Sequence, residues 1–110
     1  MFQDHNLYAI FHFSLPIGLL DSQGKCHQEG EMRLARGKDE LFLQLDPRSL
    51  ENPAYGTLIV LSRAIVRLGN LSSLTPEDLE GLFLIDWQHL QDFYNSINPP
   101  EATISAMGEF

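Results

Sequence analysis

The side chains best suited to chemistry in this sequence are one cysteine and four histidines: Cys26, His5, His12, His27 and His89. Cys26 and His27 are neighbours. On an extended strand adjacent side chains point to opposite faces, so these two cannot readily share a metal ion. No CxxC, HxxxH or HExxH spacing occurs, and no metal and no cofactor are expected. A cysteine nucleophile would need a base beside it, but Cys26 falls on the apolar face of its expected strand, where a thiol is inert. There is no GxSxG elbow and no glycine-rich phosphate loop after a strand. The carboxylate pair Glu77-Asp78 reads as the acidic first turn of a helix. Asp39-Glu40 precedes the apolar run LFLQL and reads equally as a cap. The expectation is a protein that is not an enzyme.

The elements that would position these residues are legible in part. Phe11, Phe13 and Leu15 alternate with His12 and Ser14, as in a strand with one buried face. Asp21-Ser22-Gln23-Gly24 supplies turn residues. The run after it alternates again, with Cys26, Gln28, Gly30, Met32 and Leu34 on the inward face and Lys25, His27, Glu29, Glu31 and Arg33 outward. An antiparallel hairpin with one wet face follows. Residues 39–45 (DELFLQL) fit a third short strand or a helical turn, and the periodicity does not choose between them. Asp46-Pro47 opens an irregular stretch or short helix reaching Glu51.

Asn52 as N-cap and Pro53 at the first helical position start the main helix. Its apolar residues run to Leu68 around most of the circumference, and Gly69 is expected to stop it. Thr75-Pro76-Glu77-Asp78 repeats the start signal for a short helix with Leu79, Leu82 and Phe83 inward. Asp86 is expected to cap a last helix facing inward through Trp87, Leu90, Phe93, Tyr94 and Ile97, ended by Asn98-Pro99-Pro100. The fold class that results is α+β: an N-terminal antiparallel β-hairpin or small sheet followed by about three α-helices, in a single domain over residues 1–98 with a flexible tail over 99–110.

Charge narrows the partners. The chain has 110 residues and a formal net charge of −8, with every Lys and Arg at or before Arg67. Seven bases against eight acids leave the first 67 residues at −1, and the remainder, with seven acids and no base, at −7. Nucleic acid and anionic membrane surfaces both need a basic face, so neither is an expected partner. The acids either solubilise the surface or attract a basic protein. A single cysteine, no signal-peptide pattern and no long apolar run point to the cytoplasm and against membrane insertion.

From Phe11 to Asn98 the pieces GEMRLA, DPR, NPAY, LSRAIVRLG and LQDFYNSIN follow one another in an order that resembles the small tail-assembly proteins of phage-tail-like contractile injection systems. The order is similar, more loosely, to the tail-assembly chaperones of contractile-tailed phages. Gly56 departs from that pattern, standing where leucine is usual, and would loosen the first turn of the main helix. The resemblance implies a non-enzymatic assembly chaperone that holds a long, helical tape-measure-like protein soluble until tube protein polymerises around it. The alternatives are a structural subunit retained in the assembled particle, or a small ligand-binding domain or enzyme using His12, His27 or Cys26.

The residues expected to bind the partner form an apolar groove between the last two helices, Leu82, Phe83, Trp87, Leu90 and Tyr94, rimmed by Glu80, Asp86 and Asp92. The competing reading makes the five apolar residues plain core. Asp46, Arg48, Asn52 and Tyr55 read as positional, and Arg33, Arg63 and Arg67 as partners of acids within the domain. A homodimer is expected, with the all-round apolar main helix suited to a dimer interface as much as to a monomer core.

Overall fold

The computed structural model describes residues 9–99. The chain is α+β. β1 (Ile10–Leu20) and β2 (Cys26–Arg33) form a hairpin, followed by α1 (Gly37–Leu45), α2 (Pro47–Glu51) and α3 (Pro53–Ala64). Two further strands, β3 (Ile65–Leu68) and β4 (Leu71–Ser72), precede α4 (Pro76–Leu79) and α5 (Leu84–Ile97). All neighbouring strands are antiparallel, in the order β1-β2-β3-β4. The expected tail lies almost wholly outside the described residues, as do His5, Glu101 and Glu109.

The hairpin turn forms as its residues suggest. The Asp21 carboxylate accepts from the N–H groups of Gln23 and Lys25, both at 2.9 Å, and Gly24 takes φ +83°. The open face of the sheet is wet: the His12 ring meets Glu29 at 2.9 Å, and Glu31 meets Arg67 across the strands at 3.1 Å. The other face is the core floor, with Phe13, Leu15, Leu19 and Met32 buried against Leu58, Leu61, Leu79 and Leu90. α5 lies against β1, where the Phe13 and Phe93 rings pack with centroids 5.6 Å apart.

The expected alternation of β2 holds for Gly30 and Met32 but inverts at its start: Cys26 is exposed and His27 is buried. The cause lies in β1. The pairing runs in register from Ile10 to Ser14, then resumes at Leu19 opposite His27, so residues 15–18 face a single residue, Gln28. Such an excess on one strand shifts the phase of the pleat. Pro16 has no N–H to offer the ladder, and Gly18 sits at φ +122°, which side chains disfavour. Cys26 therefore points outward, where its Sγ lies 3.3 Å from the Ile17 carbonyl oxygen.

The main helix ends earlier than its apolar run. α3 stops at Ala64, and Ile65–Leu68 turn into β3, hydrogen-bonded to β2. Only the first residue of the Gly69–Asn70 turn takes positive φ (+62°), the arrangement of a tight II′ hairpin turn into β4. Residues 39–45 are helical, and Asp39 is their single buried side chain. α3 crosses α1 closely at Gly56, where a Cβ would stand 2.8 Å from a Leu43 methyl. That contact gives the glycine a reason to be there. Leu58 and Leu61 of α3 lie in the chain's own core.

Candidate functional site

Three carboxylates hold the elements in place, and two of them are buried. Asp39, 2% exposed, accepts both Arg33 guanidinium N–H groups at 2.8 and 2.9 Å, Arg63 Nε–H at 2.8 Å and the Arg36 backbone N–H at 2.7 Å. It joins the end of β2, the start of α1 and the last turn of α3. The Arg33 hydrogen bonds, outweighing desolvation, hold this carboxyl far below the ordinary carboxylate range. Asp21 forms the third anchor, bonded to His27 at 2.9 Å, and that bond lowers its pKa.

Asp86 is fully buried and caps no helix of its own. Phe83 occupies the N-cap position of α5 instead. The Asp86 oxygens accept the N–H groups of Ile17 and Gly18 at 2.9 and 2.8 Å. These are donors that the bulged segment of β1 cannot offer to β2, so the carboxylate closes the hydrogen-bond account of the bulge. Asp86 is therefore a clamp between sheet and helix and not a rim acid.

The eight residues expected to form a binding groove are dispersed. Leu90 is fully buried, while Leu82, Trp87 and Tyr94 are half-buried and packed on the core. Phe83, expected inward, is 44% exposed and precedes two more exposed apolar residues, Leu84 and Ile85. Asp92 is exposed. Glu80 accepts from the Tyr55 hydroxyl at 2.8 Å. Among the described residues, most acids of this half are committed within the fold. Glu77 pairs with Arg48, and Asp78 closes a capping box with Thr75. The positional roles expected for Asp46, Asn52 and Arg48 are present: the first two cap α2 and α3, and the Arg48 guanidinium sits 4.9 Å from the Tyr55 ring centre. Arg33, Arg63 and Arg67 all pair with acids of the domain, as expected.

An open groove does exist, elsewhere. It encloses about 530 Å³ between α1, α2, α3 and α5. Leu43, Gly56, Val60 and Leu61 form its floor, and Glu40, Gln44, Leu50 and Asn95 stand at its exposed edge. Of the expected site residues only Tyr94 lines it. Burial, with Asp39 and Glu40 nearby, raises the pKa of that phenol, so it faces the groove as a neutral hydroxyl at physiological pH. No basic side chain lines the groove, and its charged member is Glu40. Leu50, at that edge, is 75% exposed.

The sequence held a weak signal for open apolar surface on α1, on the side away from this groove. α1 carries four apolar residues in nine, yet leaves Leu41, Phe42 and Leu45 exposed, a helix more apolar than its own burial requires. Among the described residues no group of three His, Cys, Asp or Glu side chains is placed to hold a metal, and no helix is long and apolar enough to cross a membrane. Comparison with family models, curated proteins and solved structures returned no match to this chain.

Proposed function

We propose that this protein is a non-enzymatic assembly factor whose groove between α1, α2, α3 and α5 takes up an apolar, basic helical segment of a client. On the resemblance of residues 11–98, the client is a tape-measure-like protein of a phage-tail-like contractile injection system. The observation that carries this reading is the groove: an apolar floor of about 530 Å³, open to solvent, with an acid and three amides and no base around it. An amphipathic helix can lay its apolar face into such a groove, and the −8 charge of the whole chain favours a client with basic flanks. Asp39, Asp86 and His27 are each bonded to protein partners, which fits a structural role for the buried ionisable groups.

Co-expression with the tape-measure-like protein of the same gene neighbourhood tests the proposal. The client is expected to co-purify in soluble form, and more weakly as salt rises. Leu50→Lys, which sets a like charge against a basic client at the edge, and Thr57→Trp, which fills the groove from one of its lining residues, are expected to lower capture at least about tenfold, a loss of roughly 1.4 kcal/mol. Trp87→Ala is expected to weaken the fold and leave the groove able to bind. Capture that survives both groove variants, or a client equally soluble without this protein, would sink the proposal.

A further inference from the structure

The part of the groove that α3 lines is one face of that helix. Pro53, Gly56, Thr57 and Val60 recur at i, i+3, i+4 and i+7. At about 1.5 Å per residue this face is roughly 10 Å long, about two helical turns. Its two ends differ. α1 runs back along α3: Leu43 packs over Gly56, and Asp39 is bonded to Arg63 in the last turn of α3. Glu40 therefore stands at the Val60 end. At the Pro53 end the Ser49 hydroxyl donates to the Leu43 carbonyl oxygen at 2.6 Å, and the neighbouring Leu50 is exposed.

Charge is confined to one of these ends. Glu40 is the one carboxylate lining the groove, and no base lines it. Among the described residues Glu40 forms no ion pair. Its carboxylate accepts from the Gln44 side-chain amide at 3.1 Å, a neutral donor that leaves the charge uncompensated. Tyr94, which also lines the groove, registers the field: after burial itself, Asp39 and Glu40 raise its phenol pKa and outweigh the opposing Arg33. A carboxylate beside apolar surface attracts a cation more strongly than one in open water. A helical segment with a lysine or arginine at one end of its apolar face meets that carboxylate in one direction only. Reversed, it sets its cation against Leu50 and leaves Glu40 without a partner.

We infer, resting on the groove reading above, that Glu40 is the specificity-determining residue of this site. It selects an apolar segment of about two helical turns with one lysine or arginine at an end, and so fixes the direction in which the segment lies. The probes are short alanine-based helical peptides with leucines at i, i+3, i+4 and i+7 and lysine, norleucine or glutamate one turn beyond the last leucine. By fluorescence anisotropy at low salt, the full chain is expected to bind the lysine peptide at least about tenfold more tightly than the glutamate peptide, with norleucine between. Glu40→Lys is expected to reverse that order and Glu40→Gln to level it; Glu40 is exposed, so neither change is expected to disturb the thermal melt. A nitroxide at the lysine end is expected to broaden the amide signals of Glu40 and Asn95, and those of Leu50 and Glu51 instead in the charge-relocating pair Glu40→Gln with Leu50→Glu. Peptides that bind, are lost in Thr57→Trp, but ignore the charge at residue 40 would overturn this inference and leave the groove reading standing. So would broadening at Leu50 in the unaltered chain. No binding of any peptide, or binding indifferent to Thr57→Trp, would take the groove reading down with it.

Discussion

Asp39 and Asp86 answer the same problem, a carboxylate out of water, in different ways. Asp39 is met by two guanidinium groups, Asp86 by two backbone N–H groups. The carboxyl of Asp39 is depressed in the folded state, so it favours folding above the unfolded value of about 4 and loses that contribution as pH falls from there toward the lower folded value. Urea unfolding is therefore expected to show a midpoint that drops below about pH 4, and Asp39→Asn is expected to flatten that drop. At pH 7 the same variant leaves two arginines without their partner. Because both retain some exposure to water, the expected loss is about 2–3 kcal/mol, less than for a fully buried pair. Asp86→Ala leaves the N–H groups of Ile17 and Gly18 unbonded in the interior and is expected to cost about 3 kcal/mol in the same measurement. Asp39 does cap α1 through the Arg36 N–H, as its place before an apolar run suggests, but its arginine partners could not be read from residue type. The partners of Asp86 lie 68 and 69 positions away.

Among the elements, the end of α3 shows how tertiary pairing overrides local pattern. The run from Leu58 to Leu68 is apolar enough for one continuous helix, but the edge of β2 offers a ladder to Ile65–Leu68, and β-branched Ile65 and Val66 suit a strand. Gly69 was legible as a stop signal, though it ends a strand and not a helix. It takes φ +62°, and a Cβ there would overlap the buried His27 ring. Gly69→Ala is accordingly expected to lower stability by about 2–3 kcal/mol and to slow no other step, checked by urea unfolding with Gly24→Ala as the comparison. At Gly24, also at positive φ, a Cβ would meet nothing, so the cost there is expected to be about 1 kcal/mol. The hairpin, the caps at Asn52 and Thr75, and the inward face of α5 were all visible in the sequence, because each depends on residues within one or two turns of one another. The phase of β2 at Cys26 and His27 was not, because the bulge that sets it lies on the opposite strand.

For the whole molecule, the proposed function rests on apolar surface that folding leaves uncovered. The groove and the outer apolar stripe lie on two sides of α1. The sequence by itself determined the α+β class, the acidic balance that disfavours nucleic acid, the hairpin and the starts of α3 and α4, since these follow from composition and from patterns a few residues long. Only the tertiary structure decided that Asp86 is a clamp, that Leu90 is core, and that an open groove lies beside α1. The physical reason is that apolar periodicity marks which residues seek cover, while the packing of distant elements determines which of them find it.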